Sequence, residues 1–154
     1  DQSFAAVMRA CAATPRQGQH GSWISEAFID AYTRLHQQGI AHSVEVWQEE
    51  RLVGGLYGLA LGRIFYGESM FTRVANASKA GFITLAQALE RAGFRLIDCQ
   101  QETAHLESLG ARGITRELFL EYLDRNIYEK TLMGKWNLDP EKGIIVAAAK
   151  PGSI

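Results

Sequence analysis

Residues 42–71 read HSVEVWQEERLVGGLYGLALGRIFYGESMF. Turn residues at 49–51 and at 62–63 divide this stretch into three runs. The first run alternates polar and apolar side chains, and the other two are rich in apolar and aromatic residues, a pattern typical of β-strands. Connections this short join antiparallel strands. The stretch therefore predicts an antiparallel meander of three strands, and the remaining elements are arranged around it.

Three glycines, Gly54, Gly55 and Gly58, lie inside the middle strand of this meander. Glycine weakens the interior of a strand. Its usual meaning there is a bulge, or a close approach by a ligand or by another stretch of backbone.

The helices are predicted from cap residues and from apolar residues at helical spacing. Asp1, Ser25, Asn76 and Thr115 are suitable N-caps, because their short polar side chains can accept a hydrogen bond from a free amide of the first turn. Glycines end three of the helices. The predicted helical ranges are 2–13, 25–39, 76–93, 102–109 and 115–125.

The segment between the third and fourth helices, residues 94–99, reads as a buried strand. Periodicity weakens from residue 126 onward, where only residues 144–149 indicate another strand. We predict one α+β domain over residues 1–125 and a tail of uncertain structure over residues 126–154.

Composition limits the class of protein. The 16 Lys and Arg residues nearly balance the 17 Asp and Glu residues, so any contact with RNA has to come from a local patch. The two cysteines, Cys11 and Cys99, have no metal-like spacing and cannot form a disulfide framework. We expect no metal site. The chain also has no apolar run of membrane-spanning length and no secretory leader, which favours a cytoplasmic protein without a membrane partner.

A layout of hairpin strands followed by a helix and a strand resembles the acetyltransferase-like (GNAT-like) fold. That fold opens its strands to admit an acyl donor beside a backbone, and Gly54 and Gly55 suit such an opening. Ordered blocks over about four-fifths of the chain resemble a more specific family, the leucyl/phenylalanyl-tRNA–protein transferases. The blocks include GSWI at 21–24, LVGGLYG at 52–58, GESMF at 67–71, ASK at 77–79, LIDCQ at 96–100 and SLGA at 108–111.

The resemblance implies an aminoacyltransferase that moves Leu, Phe or Met from aminoacyl-tRNA to the N-terminal Arg or Lys of acceptor proteins, marking them for degradation in the N-degron pathway. The donor ester is already activated, so no cofactor is expected. Members of the family usually carry an additional N-terminal domain that helps to bind the tRNA 3′ end. The 154 residues do not include it, and we expect it to be absent or to act as a separate partner.

The resemblance implies catalytic roles for Asp98, Gln100 and Glu68. Asp98 and Gln100 lie at and just beyond the end of a predicted strand, and alternation places both on the same side, where they can hold and deprotonate an incoming amine. Glu68 would lie near the α-amine of the donor. The residue types alone equally permit a strand-end Asp and Gln that satisfy turn amides, and a solvent-exposed Glu on an edge strand.

Substrate-binding residues follow from the same resemblance. The donor side chain would enter an apolar pocket, which residue types alone would describe as plain core. Trp23 would contact the terminal adenosine of the tRNA. The pocket residues are Leu56, Phe65, Phe82, Leu85 and Ile97. Candidates for phosphate contacts by charge are Arg73, Lys79, Arg91 and Arg95, although a solvated helix face accounts for the last two as well.

Two other functions are considered. An acetyl-CoA-dependent N-acetyltransferase would need a glycine-rich pyrophosphate loop that opens a helix, and the sequence FTRVAN at 71–76 contains no glycine. The second alternative function is that of a noncatalytic binding module on the same fold. The presence of Glu68, Asp98 and Gln100 together favours the enzyme.

Overall fold

The computed structural model describes residues 1–15, 21–139 and 141–146. The predicted strand at 144–149 therefore lies partly outside the described residues. The elements in chain order are α1 (Phe4–Ala12), α2 (Glu26–Gln37), β1 (Ala41–Gln48), β2 (Arg51–Leu61), β3 (Ile64–Thr72), α3 (Ala77–Arg91), β4 (Leu96–Asp98), α4 (Ala104–Glu107), α5 (Arg116–Asn126), β5 (Trp136–Asp139) and β6 (Gly143–Val146).

The central sheet has the strand order β1-β2-β3-β4. The first three strands form the predicted antiparallel meander, and β4 pairs in parallel with β3 after the α3 crossover. Strands β5 and β6 form a separate antiparallel hairpin. The protein is thus α+β with a mixed sheet, which confirms the predicted class. No helix in the described part of the chain has the length and apolar character needed to cross a membrane.

Each face of the central sheet carries its own hydrophobic core. On one face, called here the α2 face, α1 and α2 cover Tyr57 and Phe71 of the sheet. On the other, the α3 face, α3 and the β5–β6 hairpin cover Leu56, Ala60 and Phe65. Alternation along β2 accounts for this division, because Leu56 and Tyr57 are neighbours in the chain and point to opposite faces.

Two predicted helix caps are confirmed, one is confirmed in its position but makes no capping bond, and one is wrong. The hydroxyls of Ser25 and Thr115 accept from the third following amides, at 3.2 Å in both cases. Asp1 does not cap α1. Its carboxylate accepts instead from the backbone amides of Ser43 (2.9 Å) and Trp136 (2.7 Å). These amides, distant in sequence, take the place of the helix amides that a cap would bind. Asn76 precedes α3 with a left-handed φ of 66° and makes no side-chain cap bond.

The predicted strand at 94–99 is shorter and more exposed than expected. Only Leu96–Asp98 is extended, and all three residues are half-buried. Strand β4 stands last in the strand order, so it packs against a neighbouring strand on one side only.

The glycines of β2 are explained by close approach of the protein itself. A Cβ at Gly54 would lie 2.7 Å from the Cβ of Ala77, where α3 begins, and one at Gly55 would lie 2.6 Å from the Val44 carbonyl oxygen. Both glycines are buried. The acyl-donor opening expected beside them is occupied by α3 and β1, because helix α3 needs a strand without side chains to approach the sheet this closely.

The sequence pattern after residue 126 predicts little regular structure, but tertiary contacts hold this segment in place. The Asn126 side chain closes the β2–β3 turn, accepting from the Arg63 amide (2.6 Å) and donating to the Leu61 carbonyl (2.8 Å). The β5–β6 hairpin then packs on α3. Trp136 of that hairpin is 4% exposed and stacks on His42 at 3.6 Å between ring centroids, which joins the hairpin to the α3 face.

Candidate active site

A cavity of about 840 Å³ lies along β4. Four predicted site residues line it together: Asp98 and Gln100 at the end of the strand, Ile97 within it, and Phe82 from α3. The opposite wall comes from residues 101–122, which carry α4 and the first turns of α5. The cavity therefore combines an apolar surface with a carboxylate and an amide, a composition typical of small-molecule sites.

Asp98 ends β4 and turns the chain. Its Oδ1 accepts from the Gln100 amide at 2.9 Å, and Gln100 adopts a left-handed φ of 60°. The alternation predicted for the two residues does not apply, because the strand ends at Asp98. The turn nevertheless brings both side chains to the same cavity.

The Asp98 carboxylate helps to raise the pKa values of two neighbouring groups. Burial, and then the Asp98 carboxylate, raise the pKa of the half-buried Tyr66 hydroxyl. The same two causes raise the pKa of the Cys99 thiol. A positively charged group entering the cavity would meet the same carboxylate with the opposite, favourable sign.

Glu68 owes its direction to a β-bulge. Tyr57 pairs with Ser69 and Gly58 pairs with Gly67, so Glu68 is the extra residue of β3. Bulges bend a strand and redirect a side chain, and they are frequent beside active sites. A Cβ on Gly67 would lie 3.5 Å from the Asp98 carbonyl oxygen, so the bulge follows directly after the point where β3 meets the end of β4.

Tyr32 is a site residue to which the sequence analysis gave no role. Burial, and then the negative charge of the nearby Glu68 carboxylate, raise the pKa of the Tyr32 hydroxyl to about 12. The closeness of the two groups puts Glu68 on the α2 face. Asp98 is on the same face, because Ile97 packs on the α3 face and successive strand residues alternate. The available signal was a tyrosine on the apolar side of α2, whose hydroxyl needs a partner when buried.

Trp23 stands at the outer end of a series of aromatic rings that leads to Tyr32. It meets Phe28 edge-on at 5.0 Å between ring centroids, and Phe28 stacks on Tyr32 at 4.3 Å. Trp23 itself is 47% exposed, so one side of its indole is open for stacking. It does not line the cavity, and the structure links it to Glu68 through Tyr32.

The five predicted pocket residues do share one hydrophobic cluster on the α3 face. Leu56, Phe65 and Leu85 are almost fully buried in it, whereas Phe82 and Ile97 are half-buried and reach the cavity. Of the five, only the last two line the cavity along β4, so a ligand side chain in that cavity would contact these two. Phe65 and Leu85 line a second cavity of about 670 Å³ between β1, α3 and β5. Gly54 lies under α3, whereas Gly55 faces the Val44 carbonyl of β1 and the Val7 side chain of α1. Neither glycine lines the cavity along β4. Among the described residues, no group of His, Cys, Asp and Glu side chains could hold a metal ion.

Comparison with known proteins decides the family. The model of the leucyl/phenylalanyl-tRNA protein transferase family matches residues 1–124. The chain belongs to this family. The match includes every predicted site residue and ends inside α5, before the β5–β6 hairpin.

Individual relatives agree with the family match. The leucyl/phenylalanyl-tRNA–protein transferase of Pseudomonas fluorescens is 63% identical over 127 residues, which are 82% of this chain and 56% of the relative. The protein of the same name from Nitrosospira multiformis is 55% identical over 142 residues, 92% of this chain and 61% of the relative. The chain thus spans little more than half the length of the transferases it matches.

Proposed function

We propose that this chain carries the catalytic residues of a leucyl/phenylalanyl-tRNA–protein transferase, and that residues 1–125 form its catalytic domain. Leu, Phe or Met would pass from aminoacyl-tRNA to the N-terminal Arg or Lys of an acceptor protein. The observation that carries the proposal is the cavity at the end of β4, where Asp98 and Gln100 stand beside an apolar entrance in a chain of this family. The parallel β3–β4 pair beside this cavity also supports the acetyltransferase-like arrangement.

The reaction is aminolysis of an ester. The acceptor's α-amine attacks the aminoacyl carbonyl, a C–N bond forms, and the C–O bond to the terminal ribose breaks. The amine loses a proton and the leaving ribose oxygen gains one. Asp98 is suited to hold the cationic N-terminus and to take up its proton, because its charge already acts on Tyr66 and Cys99. The Gln100 amide can orient the amine through its carbonyl oxygen.

Donor recognition is divided between the two faces of the sheet. The donor's side chain would enter between Phe82 and Ile97 toward Leu85, and an apolar pocket of this kind separates side chains mainly by size. Its α-amine would meet Glu68, whose carboxylate lies beside the Tyr32 hydroxyl. The terminal adenine would stack on the open side of Trp23, a contact worth about 1–3 kcal/mol.

The region that the relatives carry outside the match would complete the tRNA site, in the same chain or as a partner. We place the reaction in the cytoplasm.

The test is transfer of labelled leucine from Leu-tRNA to a peptide that begins with Arg. A peptide beginning with Ala is the acceptor control, and acetyl-CoA replaces Leu-tRNA as the donor control. Transfer from Leu-tRNA to the Arg peptide alone supports the proposal. A folded chain that transfers nothing, alone or with the outside region of a relative added, contradicts it and favours a noncatalytic module; acetyl transfer favours the acetyltransferase.

Tyr32→Phe should lower the efficiency of leucine transfer about tenfold. The substitution removes the hydroxyl that interacts with the Glu68 carboxylate. Interactions of a hydroxyl with a charged group contribute about 1.5–3 kcal/mol, and the lower end of this range corresponds to about tenfold. The measurement is kcat/KM for Leu-tRNA. Tyr128→Phe is the matched control, since Tyr128 is 86% exposed and does not line the cavity. Equal loss in both variants would show that the Tyr32–Glu68 contact has no special part in transfer.

A further inference from the structure

The wall of the cavity that faces β4 carries two arginines without a described role. Arg112 lies in the loop before α5, and Arg116 is the first residue of that helix. Both are exposed. Within the part of the chain that the structure describes, no ion pair involves either guanidinium, although Arg9, Arg95 and Arg125 all have carboxylate partners.

Within the described residues, the other charged groups around the cavity form no ion pair with these two arginines. Arg95 also lines it, but its guanidinium is engaged by Glu129 at 3.3 Å. The carboxylates on the lining are Asp98 at the end of β4, and Glu102 and Glu107 before and within α4. A Cβ on Gly113 would lie 3.8 Å from Glu102 Oε1, so Glu102 approaches the loop that carries Arg112 without pairing with that guanidinium.

We infer that Arg112 and Arg116 bind backbone phosphates of the tRNA acceptor end, across the cavity from Asp98. The inference rests on the proposed function. If the ester carbonyl is attacked beside Asp98, the terminal ribose lies in the cavity and the preceding phosphates lie at its mouth. Two guanidiniums without carboxylate partners on the facing wall suit that position, because arginine binds phosphate bidentately and remains charged.

The arrangement also separates the two substrates by charge. The acceptor enters as a cation, which Asp98, Glu102 and Glu107 attract. The RNA enters as a polyanion, which the arginine pair attracts. A net charge of −1 gives these residues no general attraction for RNA, so any phosphate contact they make has to come from a local pair of this kind.

The test measures binding of a fluorescent RNA hairpin ending in CCA over a range of KCl concentrations, with Arg112→Gln, Arg116→Gln and the double variant. Each lost phosphate contact should lower the slope of log K against log salt concentration by about 0.7 and weaken binding several-fold. Arg125→Gln is the control, because it removes the same charge from an exposed, paired arginine on α5. Arg112→Lys and Arg116→Lys should keep the parent's slope.

A second measurement separates phosphate binding from a general loss of structure. With a phosphate-free aminoacyl-adenosine as donor, the double variant should transfer as well as the parent. With aminoacyl-tRNA as donor, the double variant should have a higher KM than the parent and the same kcat. Slopes equal to the parent's, or a parent without salt-dependent RNA binding, overturn the inference. If the arginine variants lose RNA binding but the parent transfers no leucine, the phosphate site is supported and the proposed transfer reaction is contradicted.

Discussion

Asp98→Asn should lower leucine transfer by at least about 100-fold and leave the fold intact. Groups that accept or donate a proton in the transition state contribute about 10²–10⁴-fold, and the carboxamide can neither accept the proton of the ammonium nor attract its charge. The turn after β4 should survive, because the carboxamide oxygen of the variant can still accept from the Gln100 amide as Asp98 Oδ1 does at 2.9 Å.

The measurement is single-turnover transfer from Leu-tRNA to the Arg-start peptide, with circular dichroism to check the fold. Asp124→Asn provides the control, since it makes the same chemical change on an exposed position of α5. The pKa of Tyr66 offers an independent readout: its upward shift should shrink when the charge on residue 98 is removed. Transfer by Asp98→Asn at the parent's rate would remove Asp98 from the mechanism.

Gly58→Ala should destabilise the protein by about 3 kcal/mol, the upper range for overpacking a well-packed core. The added methyl would collide with the Tyr66 carbonyl oxygen and would lie 2.6 Å from Phe65 Cζ. Neither group can yield easily, because the first is backbone of a central strand and the second is almost fully buried. The strain falls on the bulge that directs Glu68, so transfer should decline even in molecules that remain folded.

Gly67→Ala is the matched control, because Gly67 is the partner of Gly58 across the two strands and a Cβ there meets only the Asp98 carbonyl oxygen at 3.5 Å. Its stability should stay the same or rise by up to about 1 kcal/mol, because alanine loses less backbone entropy than glycine on folding. Thermal unfolding distinguishes the two, with a fall of about 6–12 °C expected for Gly58→Ala alone. Similar melting temperatures for both variants would contradict the close contact at Gly58.

Local sequence predicts those elements whose stabilising partners are close in the chain. The meander follows from two tight turns and strand-like runs, and Ser25 and Thr115 cap helices because each hydroxyl needs only the third following amide. The prediction for Asp1 was wrong for the opposite reason. Asp1 finds its amide donors in β1 and β5, at positions that no local pattern indicates.

The β5–β6 hairpin shows the same limit. Residues after 126 have weak periodicity because each strand has only four residues and is stabilised mainly by packing on α3 and by the Trp136–His42 stack. The β2 glycines were predicted to mark a close approach, which the structure confirms. What approaches is α3 at Gly54, the Val44 carbonyl of β1 at Gly55 and residues of β3 at Gly58. Only the positions of these elements in space decide that.

The same distinction between local and long-range interactions applies to the candidate site. The family motifs in the sequence determined the fold class, the family and the identity of Asp98, Gln100 and Glu68 as candidates, because those depend on residue types in order along the chain. The tertiary structure alone decided that a bulge directs Glu68 to Tyr32, that Asp98 and Gln100 share a cavity through a turn, and that Arg112 and Arg116 face them. Apart from the turn between Asp98 and Gln100, these features join residues of different elements. Their closeness is set by packing of the sheet and helices, which no short stretch of sequence encodes.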